Sequence, residues 1–379
     1  MSHDAIVVGL GAHGSAAALA LARRGLRVLG LERFGRAHGL GSSGGRTRII
    51  RLAYFEDPSY VPLAVSSWDR WLELEREAGA SILTRTGGLY GGLAGSAVLD
   101  GSIRSAEEHD LPHEVIAADE IRRRWPVFVP PDGARALIEE QAGVLRADVA
   151  IEAQLTMAER LGADLRFGEQ AIEWRPAPSG GFEVETASGE VSGGEHLVIA
   201  AGAWTPHFVP DLGLPLDVER IPVVWFEPLV PAADVANGRL PVWILETETD
   251  GSFYGFPYDP GVGLKVARHH SDVFVSVDGV DRTLTAADEA RVRAFLQAHM
   301  PAADGPLTDS TICLYTNTPD GDFILDTHPV GRGVAFASAC SGHGFKFAPV
   351  IGEALADLAL TGSSPLPIDH FRVARFVAA

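Results

Sequence analysis

Asp4-Ala-Ile-Val-Val-Gly-Leu-Gly-Ala-His-Gly14 carries an apolar, β-branched run straight into a glycine-rich turn. A run without polar interruptions reads as a strand buried on both faces of a parallel sheet. Residues 15–24 follow as an Ala- and Leu-rich helix that Gly25 ends, and residues 27–32 as a second strand. The glycines stand as G-x-G-x-x-G between strand and helix. Gly9 permits the tight turn, Gly11 lets backbone approach a pyrophosphate, and Gly14 lets helix and strand lie close together. The helix start offers free N–H groups and the positive end of its dipole. Glu32, 18 residues past Gly14, is placed to accept hydrogen bonds from ribose hydroxyls, and its charge favours an unphosphorylated ribose. The motif asks for a dinucleotide without separating NAD from FAD.

Further along, residues 35–46 are too rich in Gly, Ser, His and Arg for a regular element and read as a functional loop. Residues 60–78 and 147–162 read as amphipathic helices, and 84–92 as one strand crossing towards a second domain. Residues 163–191 read as strands joined by Pro176-Ala-Pro-Ser-Gly-Gly181, and 195–202 as another buried strand. Residues 218–325 alternate aromatic and β-branched segments, the pattern of an antiparallel sheet, before a last strand at 333–338 and a last helix at 347–360. The expected fold class is α/β (α+β). A Rossmann-like domain is expected from residues 1–85, 147–217 and 322–379, and a second, mostly antiparallel-sheet domain from 86–146 and 218–321.

With 379 residues, 46% of them hydrophobic and 21% charged, the chain has length for two domains and a sizeable core. A net charge of -19 argues against nucleic acid or an anionic membrane as partner, since both demand basic surface. No apolar stretch reaches the ~20 residues of a membrane span. The N-terminus shows no signal-peptide pattern, and two cysteines make no disulfide framework, so a cytoplasmic location and a small-molecule partner are expected. Histidines such as His269 and His270 show no metal-ligand spacing.

Against that acidity, Arg46, Arg48 and Arg51 cluster in Gly41-Ser-Ser-Gly-Gly-Arg-Thr-Arg-Ile-Ile-Arg51. Guanidinium groups there suit anions, a pyrophosphate or flavin for one and a carboxylate for another; a solvated loop with surface ion pairs is the alternative. Lys265, in Gly263-Leu-Lys-Val266, interrupts a strand-like apolar segment, where an ammonium is costly without a partner or a task, unless it snorkels to water. Ser341-Gly-His-Gly-Phe-Lys346 precedes the last helix, so its backbone N–H groups face something anionic, and Lys346 opposes the helix dipole as functional residues do. Cys313 reads either as a small buried hydrophobe or as a reacting thiol, and Cys340 as a core residue.

Together these segments resemble the monomeric sarcosine oxidase and N-methyltryptophan oxidase family, FAD enzymes that oxidise secondary amino acids. The resemblance runs nearly end to end. It rests on the N-terminal motif, Thr47-Arg-Ile-Ile-Arg51 with Tyr54 and Tyr60-Val-Pro-Leu63, Gly202-Ala-Trp204, Tyr254-Gly-Phe-Pro257, Leu264-Lys265, Cys313 with Pro319-Asp320, and Ser341-Gly-His-Gly-Phe-Lys346. It implies FAD held by Gly9, Gly11, Gly14, Glu32, Ser42, Thr47, Arg48, Gly202, Gly342, Gly344 and Lys346, with a thioether from Cys313 to the flavin 8α carbon. It implies Arg51 and Lys346 as a clamp on the substrate carboxylate, Lys265 near flavin N5 promoting reaction with dioxygen, Arg48 near the flavin ring, and Tyr254 and His269 lining the substrate pocket.

The implied enzyme is a monomer that moves a hydride equivalent from the carbon next to nitrogen in an N-methyl or cyclic amino acid. Water hydrolyses the imine, and O2 becomes H2O2. Two departures matter: Ser43-Gly44 stands where the family often has a His-His pair, and Arg46 where an acidic residue precedes Thr-Arg, so one histidine near the flavin is missing. Trp225, Trp243 and Leu245 are candidates to line or neighbour the pocket. Competing readings are a flavin dehydrogenase, an oxidase of glycine, pipecolate or N-methyltryptophan, and a non-catalytic flavin-binding protein. An NAD-dependent dehydrogenase leaves Cys313 and the arginine loop unexplained.

Overall fold

A computed structural model describes residues 3–178 and 180–376. β1 (His3–Val8), α1 (Ala12–Arg23) and β2 (Val28–Glu32) form the anticipated unit, the two strands paired in parallel. β1 also pairs in parallel with Val191–Ile199, which in turn pairs with Val334–Ser338, and β2 pairs with Asp164–Phe167. Every residue of β2 is buried, as a covered parallel strand requires. Helices Ala147–Arg160 and Ala348–Thr361 lie against α1. At the second contact a Cβ on Gly352 would sit 2.5 Å from the Ala16 backbone, so only glycine allows the helices to meet this closely.

A second, 8-stranded sheet runs in spatial order Leu307–Asn317, Asp217–Phe226, Leu264–Arg268, Gly251–Gly255, Val242–Thr247, Gly88–Gly92, Arg135–Glu139 and His113–Ala117. Its neighbours are antiparallel except Val242–Thr247 beside Gly88–Gly92. A 3-stranded sheet sets Gly143–Arg146 between Thr47–Ile50 and Leu83–Arg85, and so carries the end of the arginine loop.

The architecture is the mixed α/β one expected, with local corrections. Residues 84–92 are not one strand: Leu83–Arg85 belongs to the small sheet and Gly88–Gly92 to the large one, with the break at Gly87, whose φ of +72° only glycine adopts easily. Residues 218–325 are not all sheet, because Ala286–His299 is a helix opened by a reciprocal capping box between Thr285 and Asp288. Arg220 anchors that helix through Asp288 at 3.0 Å. Ala97–Glu108 and Ala118–Arg124 are further helices to which the sequence reading gave no element. Trp243 is fully buried beside Phe128 and stacked on Phe295, so it belongs to the second core and not to a pocket wall.

Candidate active site

Both large sheets line one cavity of about 340 Å³. At one end lies the turn after β1. Gly9 takes φ +85°, and a Cβ on Gly14 would fall 1.7 Å from the Gly9 carbonyl oxygen. A Cβ on Gly11 would meet only Ser43 Oγ, at 3.7 Å, which leaves space for a ligand against the backbone. α1 starts there with no cap from Gly11 itself and no acidic residue in its first turn, so no negative charge offsets its dipole at the cavity. Glu32 accepts from the Leu10 and Phe34 amides, both at 2.9 Å, with His38 Nε2 3.2 Å away. Burial pushes the Glu32 pKa up, but His38 and the two amides outweigh it and hold the carboxyl below its usual range.

Arg48 Nη2 donates to the Ser42 carbonyl at 2.8 Å and stands 3.4 Å from Cys313 Sγ. Cys313, buried on Leu307–Asn317 opposite Ile221, faces the cavity 3.4 Å from the same Ser42 oxygen. Lys265 is buried, and its Nζ donates to the carbonyls of Gly45 and Thr47, each at 2.7 Å, above the Phe256 ring. No carboxylate pairs with it among the described residues. Burial, reinforced by the charge of Arg48, pushes its pKa well below the ordinary lysine value.

A second cationic pair stands on the same cavity. Buried Arg51 reaches Glu56 at 2.6 Å and the Ala53 carbonyl at 3.2 Å, its guanidinium 4.1 Å from the Tyr54 ring centroid. Buried Glu139 accepts from the amides of Leu52 and Ala53 and from Tyr90 Oη, pinning the chain just past Arg51. Lys346, in the short turn Phe345–Phe347 before the last helix, donates to the His343 carbonyl at 2.6 Å and to Tyr54 Oη at 3.3 Å. Burial and then Arg51 drive its pKa well below normal. Burial also opposes ionisation of Glu56, but Arg51, His343 and Lys346 prevail and bring it to about 2.

The family model described as FAD dependent oxidoreductase matches residues 4–358. The chain belongs to the FAD dependent oxidoreductase family. It is 42% identical to the monomeric sarcosine oxidase of Streptomyces avermitilis, over 100% of this chain and 99% of that protein. It is 33% identical to the N-methyl-L-tryptophan oxidase of Yersinia pestis, over 99% of this chain and 100% of the other. The open form of NikD, an unusual amino acid oxidase, superposes with a TM-score of 0.85 at 24% identity, covering 98% of this chain and 97% of that one. L-proline dehydrogenase from P. horikoshii gives 0.84 at 22%, covering 99% and 98%.

The residues present fit the family's FAD. Beyond the glycine cradle, three buried hydroxyl oxygens, Ser42 Oγ, Thr316 Oγ1 and Ser338 Oγ, have no hydrogen-bond partner within the protein, and all three residues line the cavity. The space left over Gly11 and the positive start of α1 are what a pyrophosphate requires. Glu32, Arg48, Gly202, Gly342, Gly344 and Lys346 line the same cavity, as do Tyr254 and His269.

Other residues stand elsewhere. Gly14 is spent on the contact between helix and strand, and Thr47 turns its carbonyl and hydroxyl to Lys265, which sits behind the cavity wall. Arg46 is an exposed partner of Asp309 at 3.0 Å. Ile244, not Trp243 or Leu245, lines the cavity from its strand, and Val223 lines it from the strand of Trp225, which neighbours the cavity by packing with Cys313 and Tyr315. Cys340 is not a plain core residue; it is half-buried on the cavity wall, and its Sγ lies 4.0 Å from the Leu314 carbonyl, as Cys313 Sγ does.

The Ser43-Gly44 departure has a local reason. Ser43 Oγ accepts from the Ala12 amide at the start of α1, and any Cβ at Gly44 would press within 2.6 Å of the Gly39 oxygen. The sequence reading missed Glu56, His343 and His13. His13 lies inside the glycine motif itself, lines the cavity with Nε2 3.4 Å from the Gly344 oxygen, and is lowered by burial to about 4.

Acid stability follows from these groups. Burial, then His270, lowers His269 from 6.5 to about 3. Below pH 6.5 the unfolded chain binds a proton that folded His269 refuses, so stability falls as pH drops from there towards 3. Glu56 contributes stability above about 4.5, which is lost as pH falls to about 2. Urea unfolding of His269→Asn should therefore show a shallower loss of stability between neutral pH and pH 4 than the unaltered protein. An identical slope contradicts a buried neutral imidazole.

Proposed function

We propose that the chain is an FAD-dependent oxidase of secondary amino acids, N-methyl or cyclic, that yields an imine for hydrolysis and reduces O2 to H2O2. The observation that carries this reading is the pair Arg51 and Lys346, two buried cations converging on the cavity with Glu56 as the carboxylate at hand. The names of the curated relatives, oxidases of sarcosine and of N-methyl-L-tryptophan, support it. The reading includes a cytoplasmic monomer without nucleic-acid or membrane partners. Residues 1–85, 147–217 and 322–379 form the FAD-binding domain, which also lends Arg51 and Lys346 to the substrate, and 86–146 and 218–321 form the substrate and catalytic domain, which lends Cys313 to the flavin. No described helix is long and apolar enough to cross a membrane.

Bound FAD supplies the two-electron acceptor for the carbon next to nitrogen and returns the electrons to dioxygen. The protein's part is orientation and charge. Arg51 and Lys346 hold the substrate carboxylate, displacing the hold of Glu56 on Arg51 and fixing which C–H faces the acceptor. Tyr254 and His269 bound the pocket, and neutral His269 leaves the amine nitrogen free of a competing positive charge. The start of α1 presents N–H groups to the anionic parts of the cofactor. In the turn before Lys346, expected from the sequence to do the same, the amides of Ser341, His343 and Gly344 are instead spent on the carbonyls of Thr316 and Cys340. Cys313 Sγ, on the cavity wall 3.4 Å from Arg48 Nη2, would hold the flavin through a thioether. Lys265, its Nζ fixed on the Gly45 and Thr47 carbonyls, gives dioxygen a positive charge on which to build a negative one.

Three experiments test the reading. Purified enzyme given N-methylglycine, proline or pipecolate should release peroxide. Acid precipitation should leave yellow colour on the unaltered polypeptide and in the supernatant of Cys313→Ser. No peroxide with any N-methyl or cyclic amino acid overturns the oxidase reading, and full release of colour from the unaltered protein overturns the covalent link alone. In stopped flow, Lys265→Met should slow reoxidation by oxygen at least about tenfold more than reduction by substrate. Equal slowing of both half-reactions contradicts the role given to Lys265.

A further inference from the structure

We propose that Tyr54 and His343 are positioning residues that hold the Lys346 ammonium with a single N–H left for an anionic ligand. The inference rests on the reading of Lys346 as half of a carboxylate clamp. His343 Nε2 lies 3.1 Å from the Gly321 carbonyl oxygen. That oxygen can only accept, so Nε2 carries the ring's proton and Nδ1 is bare. Nδ1 stands 2.5 Å from Tyr54 Oη, so the phenol donates to it. With its proton committed, Oη offers only lone pairs to Lys346 Nζ, 3.3 Å away. A second ammonium proton goes to the His343 carbonyl oxygen at 2.6 Å. An ammonium has three protons at tetrahedral angles, so fixing two fixes the third. Lys346 lines the cavity, and the third proton is the one left for a ligand there.

Tyr54 itself is fully buried and does not line the cavity, so any effect it has on a ligand passes through the cations. Its ring serves both of them. One face lies 4.1 Å from the Arg51 guanidinium, and the ring is stacked 4.9 Å from Tyr60, whose Oη donates to Asp322 at 2.7 Å. A phenol held this rigidly sets the distance between guanidinium and ammonium. Burial, then Arg51 and Arg48, push the proton off Lys346, while Glu56 favours keeping it; His343, lowered by burial to about 4, and Tyr54, raised by burial, stay neutral at working pH. The Oη lone pair and the His343 carbonyl therefore help Lys346 keep its charge against its neighbours. Losing Oη lowers the pH at which the ammonium deprotonates.

The test uses FAD-loaded enzyme and acetate as an unreactive carboxylate, with binding read from the visible flavin spectrum from neutral to alkaline pH. Tyr54→Phe keeps the ring under Arg51 and removes the acceptor. Acetate affinity should fall about tenfold, and the alkaline loss of binding should move to lower pH. With an amino-acid substrate, KM should rise more than kcat falls. His343→Asn, which can place a carbonyl oxygen near the Nδ1 position, should recover much of the affinity that His343→Leu loses. Unchanged affinity and pH profile in Tyr54→Phe, or equal loss in both His343 variants, overturns the positioning role and leaves the oxidase reading standing. Absence of any carboxylate binding by the unaltered enzyme overturns both.

Discussion

Burying positive charge without its own counter-ions is the constraint on which this molecule turns. In a chain of net charge -19, Arg51, Lys265 and Lys346 are all buried and Arg48 is half-buried around one cavity, with Glu56 the one carboxylate in an ion pair with any of them among the described residues. Ammonium groups so placed cost free energy unless hydrogen bonds or an anion offset it. Here carbonyl oxygens do part of that work: Gly45 and Thr47 for Lys265, His343 for Lys346, Ala53 for Arg51. Carbonyls hold the cations in place without neutralising them. The remaining attraction is available to a pyrophosphate, a flavin or a substrate carboxylate.

The fold keeps those carbonyls where the cations need them. The arginine loop runs into the small sheet at Thr47–Ile50 and has no long element of its own. The large sheet ties it down twice. Lys265 grips its backbone at Gly45 and Thr47, and Glu139 grips the amides of Leu52 and Ala53. Both tethers come from strands of the second sheet, while the glycine turn and Glu32 come from the first. A cavity built in this way has its glycine turn and its buried cations Arg51 and Lys346 on separate elements, and the arginine loop is the piece that registers one against the other.

What was legible in the sequence was local. The βαβ unit could be read because each glycine's task is set by neighbours within a few residues, and the structure repeats those tasks at Gly9, Gly11 and Gly14. The helix Ala286–His299 was equally local, announced by Thr285 and Asp288, but it was hidden by treating the whole stretch around it as sheet. Orientation was not legible. Strand alternation could mark Lys265 as out of place without saying that it turns to Gly45 and Thr47, some 220 positions away. Nothing in the spacing announced that Glu56 would fold back on Arg51, or that Ile244 rather than Leu245 would face the cavity. Those facts depend on how three sheets meet, which no short window contains.

The most direct measurement compares N-methylglycine with its methyl ester in anaerobic reduction of the bound flavin, followed by the loss of visible absorbance. The ester lacks the negative charge that the proposed clamp of Arg51 and Lys346 would receive. The account predicts that the acid bleaches the flavin while the ester does so at least about thirtyfold more slowly at equal concentration. Equal rates for acid and ester contradict it.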